Sequence, residues 1–200
     1  MVKLVIATHN QGKLREIRTL LGDVPFQLLS LNDFANIGTA EEVESTYEGN
    51  AILKARFYAA ATGEFVIADD SGLEVTALKG APGVLSARYA GESASDKERR
   101  RKLLSELAAT SSDRSAQFVC SVALANAQQE VLKVTYGICE GTILSDERGE
   151  GGFGYDPLFV PNGFTETFGE LTEAVKNTIS HRAKAILAMR EFLCAKRWHA

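Results

Sequence analysis

Cysteine is scarce in this 200-residue chain and odd in number: Cys120, Cys139 and Cys194 stand far apart. Such a set excludes a disulfide framework and a cysteine-based zinc site. Cys120 and Cys139 fall inside apolar, strand-like segments and read as small buried thiols. Positive charge is also in short supply. Lys and Arg number 22 against 26 Asp and Glu, for a formal net charge of -4. That argues against a general nucleic-acid surface, which requires a basic face, although one small polyanion needs only a local cluster of cations. No apolar run approaches the roughly 20 residues that span a bilayer. The stretch at residues 1–7 is too short for a signal peptide and lacks a small-residue cleavage site, so a cytoplasmic location is expected. Repeats, low-complexity tracts and linkers are missing as well. What remains is an ordinary globular composition, 45% hydrophobic and 24% charged, suited to one domain over residues 1–200.

Hydrophobic spacing predicts an α/β fold. Residues 3–7 form a short buried strand, and a polar loop leads into a helix with Leu14, Ile17 and Leu21 on one face, stopped by Gly22. Ser45-Thr46-Tyr47-Glu48 fits a capping box that opens an Ala-rich helix ended by Gly63. Phe65-Val66-Ile67-Ala68 is a second buried strand, whose carboxyl end runs into Asp69-Asp70. Ser95-Asp96-Lys97-Glu98 opens a charged helix carrying Leu103, Leu104 and Leu107 on one face. Residues 117–125 and 130–139 pattern as a hairpin around Asn126-Ala127-Gln128-Gln129. A glycine-rich loop follows at 149–157, and a last helix is expected from about Ser180 to Lys196. Early alternation of strand and helix with an antiparallel middle predicts a mixed sheet.

Several constellations could carry chemistry. A loop at Thr8-His9-Asn10-Gln11-Gly12-Lys13, between strand and helix, presents N–H groups and a helix N-terminus suited to phosphate. Equally, Asn10 could simply cap the helix and Lys13 be solvated. The Walker A spacing is absent. Asp69-Asp70-Ser71-Gly72 sits where open α/β sheets bind ligands. In a strand the two carboxylates point to opposite faces, so they should not do the same job. Oxygen ligands of this kind suit Mg²⁺; a turn with Asp and Ser bonding backbone groups is the plain alternative. An aspartic-protease reading needs a second facing carboxylate motif, which the chain lacks.

Glu41-Glu42 belongs to an acidic run that is usually solvated. Gly149-Glu150-Gly151-Gly152-Phe153-Gly154 matches G-x-G-x-x-G in form, but Tyr155-Asp156-Pro157 follows instead of a helix, which excludes a dinucleotide fold. Such a loop could bring backbone and an aromatic ring against a flat base, or place Phe153 in the core. Lys176 and Ser180-His181-Arg182 could grip a base edge or a phosphate, and Arg88 is as readily structural.

Taken in order, Thr-x-Asn-x-Gly-Lys (8–13), Glu-Asn-Ala-x-x-Lys-Ala (48–55, with Gly49 interposed), Ala-Asp-Asp-Ser-Gly-Leu (68–73), Gly-Ala-Pro-Gly (80–83), Ser-Ala-Arg-Tyr (86–89), Gly-Gly-Phe-Gly-Tyr-Asp-Pro (151–157) and Ser-His-Arg (180–182) resemble the non-canonical purine NTP pyrophosphatase family. These are also called inosine triphosphate pyrophosphatases or XTP/dITP diphosphatases. The resemblance covers nearly the whole chain. It implies an elongated mixed β-sheet flanked by helices, with two lobes and a central cleft. It further implies hydrolysis of ITP, dITP or XTP to the monophosphate and pyrophosphate, with Mg²⁺ as cofactor, in a cytoplasmic homodimer. By motif, residues Thr8 to Lys13 would hold the triphosphate, with Lys13 the main cation and His9 given no role of its own. Asp70 would be the metal ligand or the base for water, Glu41 would complete the metal site, and Ser71 would touch substrate. Phe153, Gly154, Tyr155, Asp156, Lys176, His181 and Arg182 would recognise the base.

Overall fold

A computed structural model describes residues 1–110 and 112–198. Strand β1 (Lys3–Ile6) has Leu4, Val5 and Ile6 fully buried, so both of its faces are covered. Helix α1 (Gln11–Leu21) starts at Asn10, whose Oδ1 accepts from the Lys13 N–H at 3.1 Å. It ends at Gly22, whose φ of +52° disfavours any side chain. Leu14, Ile17, Leu20 and Leu21 make its buried stripe. Strand β2 (Gln27–Ser30) follows, four residues that are too few to show a period in the sequence. Helix α2 (Tyr47–Thr62) is capped one residue later than the sequence pattern suggests: Thr46 Oγ1, not Ser45, accepts from the Gly49 N–H at 3.0 Å.

The largest departure from expectation is β3 (Phe65–Val75), which is eleven residues long rather than four. Asp69-Asp70-Ser71-Gly72 therefore lies inside a strand and not at its carboxyl end. Beyond it Leu73 and Val75 are fully buried, and the Leu73 N–H donates to Ser86 Oγ at 2.9 Å. Four polar or small residues in a row conceal a strand whose backbone continues unbroken.

Helix α3 (Asp96–Thr110) opens with the expected capping box: Ser95 Oγ accepts from the Glu98 N–H, and Glu98 Oε2 accepts from the Ser95 N–H at 2.7 Å. Strands β4 (Ser115–Ala125) and β5 (Val131–Ile143) are joined through Asn126, whose Oδ1 accepts from the Gln128 and Glu130 N–H groups. Strand β6 (Phe159–Pro161) pairs antiparallel with β5. The expected last helix is α5 (His181–Ala195), and a further short helix, α4 (Glu173–Ile179), capped by Thr172, precedes it, with Ser180 in an extended conformation between them.

The six-stranded sheet has the order β2-β1-β3-β4-β5-β6, with β1 parallel to β2 and β3. It is a mixed sheet flanked by helices, as the sequence predicts. The chain forms two compact units, one from Met1–Asp70, Cys120–Gly137 and the residues from Arg182 on, the other from Ser71–Val119 and Ile138–His181. Each crossing falls inside β3, β4, β5 or the first turn of α5, so no linker separates them. In the first unit, Ile6, Ile67, Val122 and Leu124 pack with residues of α1 and α5, and Val5, Val66 and Ala68 pack with α2. Alanines 51, 55 and 59 let α2 lie close to the strands. The second unit has its own core of Leu73, Leu103, Leu107, Phe118, Phe159 and Phe168.

Candidate active site

Because β3 continues through the acidic pair, the two carboxylates serve different partners. Asp69 Oδ2 lies 3.0 Å from Lys13 Nζ and 3.3 Å from Arg182 Nε. Arg182 also donates from its NH1 group to Glu16. Asp69 and Arg182 are almost wholly removed from solvent, at 1% and 3% side-chain exposure. Burial by itself would raise the Asp69 carboxyl, yet Lys13, Arg182 and Lys54 together hold it well below the usual carboxylate range. Asp69 is thus a permanent anion between two cations.

Asp70 meets α2 instead. Its Oδ1 is 3.1 Å from Lys54 Nζ, and its Oδ2 accepts from Asn50 Nδ2 at 3.1 Å. Asn50 is fixed in turn, since its Oδ1 accepts from the Glu44 N–H and its Nδ2 donates to the Glu44 carbonyl. Lys54 Nζ also contacts Glu42 Oε1 at 2.5 Å. Burial pushes the Asp70 carboxyl up from its ordinary value, and the attraction of Lys54 and Lys13 only partly offsets it. For Lys54, burial is outweighed by Asp70, Asp69 and Glu42, which hold its ammonium more firmly protonated than usual.

The neighbouring expectations divide. Lys13 joins the acidic pair through Asp69, while the Asn10 side chain is used as the helix cap. Thr8 Oγ1 accepts from the Asn10 N–H at 3.2 Å, which shapes the loop. His9 Nε2 lies 3.2 Å from Tyr58 Oη. Gln11 and Gly12 stand in the first turn of α1, where N–H groups have no intrahelical acceptor. Glu41 is exposed, and it is Glu42 that reaches Lys54 beside Asp70. Two adjacent glutamates in an irregular segment cannot be told apart from sequence, since no periodicity says which one turns inward.

In the second unit, the glycine-rich loop folds around Asp156. Its Oδ2 accepts from the Phe153 N–H at 2.8 Å and from Lys176 Nζ at 2.7 Å. A side chain at Gly152 would bring its Cβ within 2.1 Å of that same oxygen, so only glycine fits. Lys176 Nζ stands 5.0 Å from the Phe153 ring centroid, within cation–π range. Phe153 and Gly154 are half-buried, whereas Tyr155 is turned into the core and donates its hydroxyl to the Ser86 carbonyl at 3.0 Å. His181 stacks on Phe118 at 4.6 Å and is buried. Ser71 is half-buried on β3, next to Asp70. Arg182, expected beside His181 as a base reader, instead places its guanidinium on Asp69 and Glu16.

Motif reasoning alone assigns no role to Asn50, Lys54 or Glu16, which the structure places on Asp70 and Arg182. A signal existed, because Asn50 and Lys54 are four apart on α2 and so share a helix face. Glu16 likewise stands three residues after Lys13 on α1.

The residues matched by the Ham1 family model run from 4 to 192. The chain belongs to the Ham1 family. It is 48% identical over 193 residues to a dITP/XTP pyrophosphatase of Desulforamulus reducens, with 96% of each chain covered. To a dITP/XTP pyrophosphatase of Geobacter sulfurreducens it is 47% identical, over 96% of this chain and 97% of the other. Among solved structures, it is similar to a HAM1 protein from Coxiella burnetii, with TM-score 0.90, 42% identity, and 98% of this chain and 100% of the other covered. The Staphylococcus aureus Ham1 protein gives TM-score 0.86 and 42% identity over the same shares.

For a Ham1-family chain, the donor set near Asp70 can be tested against a hard cation. Asp70 Oδ1 and Glu42 Oε1, from different parts of the chain, converge on one positive atom, Lys54 Nζ. They can therefore face a common cation. Among the described residues no group of three or more His, Cys, Asp or Glu is gathered as a ligand shell. Two carboxylates with the remaining positions left to water and phosphate oxygens is how Mg²⁺ is commonly held, so the residues fit it.

Proposed function

We infer that this chain hydrolyses non-canonical purine nucleoside triphosphates (ITP, dITP and XTP) between the α and β phosphates, yielding the monophosphate and pyrophosphate. The observation that carries this reading is Asp70: a buried carboxylate raised above its ordinary value, gripped by Asn50 and Lys54, on the strand where Asp69 anchors Lys13. Its assignment to deaminated purines is supported by relatives named dITP/XTP pyrophosphatases.

Water attacks the α-phosphorus as Asp70 takes its proton. Among the described residues each Asp70 oxygen accepts from one side chain, and a carboxylate oxygen has a second lone-pair direction with which to accept from water. The raised affinity for a proton makes Asp70 a stronger base than an exposed aspartate. Lys13 and the first-turn N–H groups of α1 draw the phosphate oxygens and meet the negative charge that shifts to the leaving pyrophosphate. As Lys13 turns to phosphate, Arg182 keeps Asp69 neutralised. Asp70 and Glu42 would hold Mg²⁺, and the ion would supply charge neutralisation for the triphosphate. Phe153, Gly154, Lys176 and His181 are carried over by motif as the groups that handle the base, with Tyr155 and Asp156 holding the loop through Ser86 and Lys176. The same reading makes the protein a cytoplasmic homodimer.

Two measurements test this. In a pyrophosphate-release panel, kcat/KM for ITP, dITP and XTP exceeds that for ATP by about 10²-fold or more, and omission of Mg²⁺ removes turnover. Equal rates on ITP, GTP and ATP would overturn the substrate assignment. Lys13→Ala lowers kcat/KM for ITP by about 10²-fold or more, as for loss of one donor to a developing anion. An unchanged value would take the phosphate role from Lys13.

A further inference from the structure

The glycine-rich loop is held from outside as well as by Asp156. Gly154, next to Phe153, has both polar groups of its backbone engaged by the first turns of α3. Its N–H donates to Asp96 Oδ2 at 2.8 Å, and its carbonyl accepts from Arg100 NH1 at 2.7 Å. Asp96 and Arg100 are four apart and share one face of the helix. Arg100 reaches further: its NH2 group lies 2.9 Å from Glu147 Oε2, just before the loop, so one guanidinium links the approach to the loop with Gly154 inside it. Asp96 is itself braced by Arg99, whose NH1 also donates to the Ala87 and Ala94 carbonyls. Gly154 has φ +61°, a conformation that favours glycine, and both bonds fall on this one residue.

We propose that Asp96 and Arg100 are positioning residues for base selection, setting the Phe153 ring and the loop that carries it by clamping the Gly154 peptide unit. Neither side chain needs to touch the nucleotide. The proposal rests on the reading above in which this loop faces the base. Because Asp96 and Arg100 bond the loop next to Phe153 and, among the described residues, Asp70 is bonded by Asn50 and Lys54 instead, loss of the clamp falls on the recognition of the base and spares the chemical step.

Steady-state kinetics on ITP, GTP and ATP, with thermal melts, would test this in Asp96→Ala, Arg100→Met, the double variant, Asp96→Asn and Arg100→Lys. Either of the first two raises KM for ITP by about 10-fold to 100-fold, the penalty for a misplaced binding group, while kcat stays close to parental. Preference for ITP over GTP and ATP narrows. The double variant is little worse than the poorer single one, since both act on the same peptide unit. Asp96→Asn, which keeps an acceptor oxygen, recovers most of the parental KM. Arg100→Lys, which keeps one donor, falls between the parent and Arg100→Met, and reports even if that variant fails to fold. Unchanged KM and preference in the variants, with a discriminating parent, would overturn this proposal alone. So would a loss shared equally by all nucleotides through kcat with a lowered Tm. A parent that does not discriminate would instead overturn the base-facing reading and this proposal with it.

Discussion

Asp70→Asn lowers kcat by about 10²-fold to 10⁴-fold, the range expected for loss of a general base, without loss of fold. The stability half of this expectation follows from the direction of the shift. Burial raises the Asp70 carboxyl, so in the folded protein its ionised form is less favoured than in the unfolded chain. At neutral pH the neutral amide relieves that penalty but keeps one acceptor oxygen for Asn50 and Lys54 where Asp70 has two, so the fold is kept with a small change in Tm, and Lys54 keeps Glu42 as a partner. A stable Asp70→Asn protein with near-parental turnover would move the base elsewhere. A protein that merely unfolds would show Asp70 to be structural.

Arg182→Met has the opposite character, with a large effect on stability. Arg182 and Asp69 are both nearly solvent-free, and removing one partner of a buried pair costs about 3–5 kcal/mol because the other charge is left uncompensated. Glu16 loses its partner at the same time. The penalty depends on pH in a defined direction. Asp69 is depressed in the folded state, so its contribution is fully present above 3.8 and is lost as pH falls through its folded value. Denaturant unfolding should show the gap between parent and Arg182→Met widest at neutral pH and narrowing below 3.8. A gap under about 1 kcal/mol, the scale of an exposed pair, would mean that Lys13 alone suffices for Asp69.

These two residues also show how unevenly the site could be read beforehand. That Asp69 and Asp70 part company was legible, because alternation along a strand requires it wherever the strand runs. How far the strand runs was not legible. Asp-Asp-Ser-Gly looks like a turn, and only the packing of Leu73 and Val75 beyond it carries β3 onward. Arg182 lies next to His181 in sequence, which invites one shared role. On α5 the two side chains leave the helix about 100° apart, and they end on Asp69 and Phe118 respectively. Glu41 and Glu42 differ only in which one turns toward Lys54, and nothing in an acidic run records that.

The class of fold and the order of the working parts are written in local patterns of the chain. Buried runs, capping boxes and terminal glycines are local signals, legible because propensity and hydrogen bonding act within a few residues. The ordered motifs also identify the family. Tertiary structure alone decided which charge meets which: Asp69 with Lys13 and Arg182, Asp70 with Asn50 and Lys54, Gly154 with Asp96 and Arg100. It also decided the short strands β2 and β6, which are held by pairing with β1 and β5. Partners in an ion pair are selected by burial, which raises their attraction by excluding water. Burial is a property of the assembled core and of no single segment.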